Sequence, residues 1–265
     1  MPTAVMRSAL PGLPRAGSAW LFCALACFCA TAASGEQRFA SGSQQTTLIE
    51  LFTSQGCSSC PPAERWLGDL KDDPRLWREI IPVAFHVDYW DYIGWRDTFA
   101  DPRFSARQRR YLSEDAIDSV YTPGFVVNGR EWRGWFQRRA LPVAKTESGN
   151  LQLSLNGRQL KARFTPRLQT GATLDLHVAL LGADLEVDVA RGENSGRRLT
   201  QDFTVLRLIT LSSTNGNWST TLPAIDMPDG ARPAIAAWVS DAATQGPLQA
   251  VGGWMEAGNN LSDIN

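Results

Sequence analysis

Residues 53–64 read TSQGCSSCPPAE, and they set Cys57 and Cys60 two residues apart between an apolar run and a helix-like run. Such a pair serves as a redox tool, a metal grip or a structural staple. Upstream, TLIELFT (47–53) is nearly continuous in apolar residues, as in a strand covered on both faces. Downstream, PPAERWLGDL (61–70) puts Trp66, Leu67 and Leu70 on one stripe, with prolines where a first helical turn needs no amide donor. The pair therefore falls in a strand-to-helix turn.

The remaining cysteines sharpen the question. Cys23, Cys27 and Cys29 all lie in a segment that reads as a secretory signal peptide, residues 1–33. Arg7 and Arg15 precede the apolar run 19–30, and the small residues Ala30 and Ala32 follow. Cleavage is expected near Ala32 or Ala33, which puts the mature chain in the periplasm or outside the cell. Lipid attachment at Cys27 is the alternative. The apolar run is shorter than the ~20 residues that span a bilayer as a helix. The mature chain then keeps only Cys57 and Cys60. A loop this short gains little from closure, so chemistry is favoured over a staple.

Composition narrows the field further. Charged residues make up 20% and the net charge is −1, with both signs intermixed, so no basic face invites nucleic acid. Residues 34–47 are small and polar and read as a disordered leader. Residues 48–147 alternate strand-like and helix-like segments: IIPVAFHVDYW (80–90) as a strand, FSARQRRYLSEDAI (104–117) as a helix, a hairpin turning at Asn128-Gly129, and a short helix in FQRRALPVAKT (136–146). From residue 148 the pattern becomes alternating strands with frequent Gly, Pro and Asn turns. The expected architecture is an α/β thioredoxin-like domain (48–147) followed by an all-β sandwich-like domain (148–265).

Strand, short loop, then Cys-x-x-Cys at a helix start is the thioredoxin arrangement. There Cys57 is the nucleophile, its thiolate favoured by unpaired helix amides, and Cys60 resolves the mixed disulfide. Thr122-Pro123 stands before the strand GFVVNG, about sixty residues past the pair. A cis proline at that place would face the cysteines and leave the backbone of Thr122 free for a substrate strand. Glu50 is the candidate buried acid that exchanges a proton with the resolving thiol. Its alternative is to point outward from its strand.

The stretches LIELFTSQGCSSCPPAE, FHVDYWDYIGWRDTF, VYTPGFVVNG and RGENSGRRL together resemble a secreted bacterial thioredoxin-like family of unassigned function, domain-of-unknown-function family 1223. The resemblance covers most of the mature chain and implies a thioredoxin-like fold followed by a β domain. Against thioredoxin itself, Gly56 stands in place of a tryptophan, Ser58-Ser59 in place of Gly-Pro, and the loop before the pair is longer.

Other residues extend the candidate site. Trp90, Tyr92 and Trp95 are expected to rim a peptide groove or to pack internally. His86 either tunes the cysteines or bonds within the sheet. His177 falls on the polar side of its strand and is expected at the surface. The loop with Gly192, Asn194, Gly196, Arg197 and Arg198 is expected to use its arginines on an anion or on the first domain.

Three functions follow. One is an extracytoplasmic thiol-disulfide oxidoreductase that acts on protein thiols or disulfides, is recycled by a redox partner, and needs no cofactor. A second is a copper(I) carrier using Cys57, Cys60 and His86. The third is a partner-binding protein whose disulfide is only a local clamp.

Overall fold

The structure, a computed structural model, describes residues 1–4, 35–168 and 171–256. The expected signal peptide, with Cys23, Cys27 and Cys29, falls almost wholly outside them. Ala33–Asn265 is one compact unit.

The elements run in the order β1 (Gln37–Ala40), β2 (Thr47–Thr53), α1 (Pro61–Gly68), β3 (Ile80–His86), α2 (Pro102–Ser113), β4 (Gly124–Val127) and β5 (Arg130–Glu131). Strands then follow one another: β6 (Gly149–Asn156), β7 (Gln159–Pro166), β8 (Leu174–Ala183), β9 (Leu185–Val189), β10 (Arg197–Gln201), β11 (Thr204–Ser213), β12 (Asn217–Thr221), β13 (Arg232–Asp241) and β14 (Pro247–Trp254). The molecule is thus mostly β, as its second half predicts.

The main sheet has eight strands in the order β14-β13-β8-β11-β3-β2-β4-β5. β2 and β3 are parallel, joined through α1, with Thr53 opposite His86 at their shared C-terminal end. β4 runs antiparallel to β2 and turns into β5 through Asn128 and Gly129, both at positive φ, the geometry an Asn-Gly hairpin turn demands. β11 joins the two halves by lying parallel to β3 at Thr204–Ala84. The change of character at residue 148 is therefore not a break in the sheet.

Alternation along the strands assigns the cores. A second sheet, β1-β6-β7-β12, packs Phe39, Leu151, Leu153, Leu155 and Phe164 against Leu176, Val178, Ile235 and Val251 of the main sheet, giving a sandwich. On the other face of the main sheet, α2 lays Phe104 and Tyr111 against Phe52 and Phe85 from one half and Ala179 and Trp238 from the other. α1 covers Ile49, Leu51, Ile80 and Ala84 with Ala63 and Leu67. Strand parity thus puts Ile49 and Leu51 under α1, and Leu48 and Phe52 under α2.

Three local expectations change. The leader is ordered from Gln37 onward: β1 pairs with β6, and Phe39 is buried in the sandwich core, its ring against Gly253 of β14. No helix forms in 136–146; residues 136–140 are exposed, and Pro142 interrupts the stretch. His177 is buried, its ring stacked on Trp238 and its nitrogens bonded to the hydroxyls of Thr210 and Ser240 at 3.0 Å each. Burial, helped by Arg107, pushes its pKa down to about 3, so it is a neutral core histidine.

Candidate functional site

Cys57 and Cys60 are bonded as a disulfide, their Cα atoms 5.4 Å apart. The loop is built from two tight turns. The Cys57 amide donates to the Ser54 carbonyl at 3.1 Å, and the Cys60 amide donates to the Cys57 carbonyl at 3.2 Å. Cys60, not Cys57, caps α1; Cys57 sits one turn ahead of the helix. Prolines 61 and 62 fill the first helical positions and carry no N–H, so the helix offers fewer free amides than the sequence position suggests. Both cysteines are buried, Cys57 at 1% exposure, while Ser58 and Ser59 face solvent. The Ser59 hydroxyl lies 3.3 Å from the Cys57 sulfur.

Two segments hold this loop. The first is 90–98. Gln55 is fully buried: its amide donates to Asp97 at 2.7 Å, and its side-chain oxygen accepts from the Trp95 indole at 2.9 Å. A Cβ on Gly56 would come within 3.3 Å of Trp90, so glycine is what allows this close approach. The Trp90 indole donates to the Thr122 hydroxyl at 2.7 Å, and the Thr122-Pro123 bond is cis. Trp90 thereby links the cysteine loop to the residue preceding the cis proline. Tyr92 stacks on Trp90 and is 81% exposed.

The second segment is the tip of the β9–β10 hairpin. Buried Asn194 donates to the carbonyls of Gln55 and Cys57, each at 2.9 Å. Arg197 props it by donating to its side-chain oxygen at 2.7 Å. Glu193 accepts from the Ser58 amide at 3.0 Å. The expected arginine contact is thus made by the neighbours: Arg198 is turned away and paired with Asp188 at 2.8 Å.

The acids divide by strand parity. Glu50 points to the α2 side, not under α1, and forms a buried ion pair with Arg107 at 2.6 Å while accepting from the Tyr111 hydroxyl. The buried acid on the α1 side is Glu64, one turn past Cys60, whose carbonyl accepts the Glu64 amide at 3.1 Å. Its carboxyl is bonded to the Thr53 hydroxyl at 2.7 Å and to the Gln201 amide at 3.2 Å. Burial pushes its pKa up, more than nearby His86 and these bonds pull it down. The signal for it lay in the stripe Cys60, Glu64, Leu67, which shares one helical face.

His86 joins this cluster from the end of β3. Its Nδ1 is 2.7 Å from Asp97, both side chains are fully buried, and its Nε2 has no hydrogen-bond partner. Burial opposes the charged ring, but Asp97 and Glu64 outweigh it and raise the pKa. Burial likewise opposes the Asp97 charge, yet His86 and the amides of Gln55 and Phe99 hold its pKa low. Among the described residues no three His, Cys, Asp or Glu side chains are grouped as metal ligands.

Fold and site define a mostly-β protein with a Cys-x-x-Cys disulfide at the head of a helix, above a buried cluster of ionisable groups. A family model described as a protein of unknown function, DUF1223, matches residues 48–240, and the chain belongs to that family. The fold is similar to a crystal structure of a protein from Agrobacterium tumefaciens, at 21% identity and a TM-score of 0.54, over 85% of this chain and 99% of that one. It is also similar to HBP35 of Porphyromonas gingivalis, at 14% identity and a TM-score of 0.51, over 85% of this chain and 79% of that one. At these identities the likeness is one of fold. No curated protein matches the chain.

Proposed function

We propose that the protein is an extracytoplasmic thiol-disulfide oxidoreductase with a thioredoxin-like active site made of β2, α1, β3 and the β4–β5 hairpin. The observation that carries this reading is the Cys57–Cys60 disulfide in the β2–α1 turn, linked through Trp90 to the residue before cis Pro123. A location outside the cytoplasm rests on the signal-like composition of residues 1–33 and suits a lasting disulfide. Among the described residues no helix is long and apolar enough to cross a membrane.

In the reducing direction the Cys57 thiolate attacks one sulfur of a substrate disulfide, and the other sulfur leaves with the electron pair. Cys60 then loses its proton and attacks Cys57, releasing a substrate dithiol and leaving the protein oxidised. The oxidising direction reverses these steps. Glu64, whose proton affinity burial raises, replaces Glu50 as the group that exchanges a proton with Cys60: its carboxylate takes the Cys60 proton in the reducing direction and returns it in the oxidising one. Thr122 and Pro123 shape the substrate strand's path, with Trp90 and Trp95 supporting the loop. Protein thiols or disulfides are the substrates, and a separate redox protein resets the pair.

The test is exchange with a protein disulfide such as insulin. Reduced wild-type protein should react, and Cys57→Ser should be inert; equal rates for the two would remove the reading. The partner-binding alternative draws on one observation, the 1% exposure of Cys57. It gains ground if the wild-type disulfide survives mild reductant and no exchange occurs.

A further inference from the structure

The hairpin β9–β10 forms a two-stranded sheet of its own, yet its tip and base both reach the cysteine site. Asn194 and Glu193 grip the loop from the tip, and Gln201 bonds to Glu64 from the base. The tip is seated closely: a Cβ on Gly192 would come within 3.2 Å of Trp95, and Gly192 is at positive φ.

The amides around the pair are scarce. Those of Cys57 and Cys60 are spent inside the loop, those of Ala63 and Glu64 go to the Cys60 carbonyl, and Pro61 and Pro62 have none. That leaves Ser58 and Ser59 to meet a negative sulfur on Cys57. Glu193 takes the first of them and sets a carboxylate beside the residue that must become a thiolate. The other charged or ionisable groups near the loop are Arg197 beside Asn194, Glu64 on α1 and the His86–Asp97 pair behind Gln55.

We propose that Glu193 is a positioning residue that sets the redox poise of the pair, holding it toward the disulfide by withholding the Ser58 amide and opposing negative charge on Cys57. Asn194, bonded to the Gln55 and Cys57 carbonyls, anchors the hairpin tip that carries Glu193. Stabilising the thiolate form makes a pair more oxidising, and Glu193 works in the opposite direction. The inference deepens the oxidoreductase reading and rests on it for its purpose, though not for its test.

The experiment is the equilibrium constant of the 57–60 pair in the full mature chain, in glutathione and in dithiothreitol buffers, with thiols counted by alkylation and mass. Glu193→Ala should shift the constant about tenfold toward the dithiol, a rise of ~30 mV. Glu193→Gln, which keeps an oxygen for the Ser58 amide but loses the charge, should move the same way by less. Asn194→Ala, checked by circular dichroism for an intact fold, should follow Glu193→Ala in direction. An unchanged constant in Glu193→Ala, or a shift toward the disulfide, overturns the proposal. A wild-type pair that glutathione cannot reduce would count against the oxidoreductase reading instead, while the ratio of the two constants in dithiothreitol still decides the role of Glu193.

Discussion

Two buried carboxylates sit on opposite sides of β2 and have opposite surroundings. Glu50, on the α2 side, is met by a cation: Arg107 bonds it at 2.6 Å and lies 5.1 Å over the Trp238 ring and 5.5 Å over Phe85. Glu64, on the α1 side, is bonded only by neutral donors, Thr53 and Gln201. A buried acid bonded to an arginine is part of the frame. A buried acid with neutral hydrogen-bond partners has a raised pKa and can take up and return a proton. The contrast gives Glu50 a structural partner and leaves Glu64 as the proposed proton-exchange group.

The largest expected effect comes from breaking the paired site. Arg107→Ala leaves Glu50 buried and uncompensated and should cost about 3–5 kcal/mol in urea unfolding. A midpoint like the wild type's would show that the Glu50 side is no frame at all. Next is Glu64→Gln, which keeps the shape and the hydrogen-bonding oxygen. It should slow disulfide exchange about 100-fold, at the low end for a lost general acid–base group, while leaving stability nearly unchanged. Glu50→Gln should do the reverse, losing stability but not rate per folded molecule. If Glu50→Gln alone slowed exchange, the two roles would have to be swapped.

A subtler effect is in the pH dependence. His86 has a raised pKa in the folded protein, so its pairing with Asp97 stabilises fully below its ordinary value of 6.5 and is lost as pH rises through the folded value. Glu64, also raised, adds the same sign from the ordinary carboxylate range upward. The urea midpoint should therefore fall as pH rises above 6.5, and His86→Asn should flatten that fall. A midpoint that climbed over this range would contradict the assigned charges. Smallest of all is Arg198→Ala: its exposed pairs with Asp188 and Glu186 should leave the midpoint unmoved, a control for the hairpin's surface.

The sequence made some of this architecture readable and left the rest to tertiary placement. β2, α2, the Asn128-Gly129 turn and the strand-rich second half follow from local period and turn chemistry. The cysteine turn follows from its flanks. Which side of β2 α1 would cover does not, because strand parity separates Glu50 from Ile49 without saying which faces the helix. Asn194 lies 137 residues from Cys57 and could be singled out only as part of a Gly-rich loop. β1 depends on Phe39 finding a sandwich that begins more than a hundred residues later. The union of both halves in one sheet turns on the parallel pairing at Thr204–Ala84, which has no local signature.

The measurement that bears most directly on the central claim is the equilibrium redox titration of Cys57 and Cys60 in the wild-type protein. A potential between about −270 and −120 mV is predicted, the span of catalytic pairs. A value below about −300 mV would mark a structural disulfide and contradict the assignment.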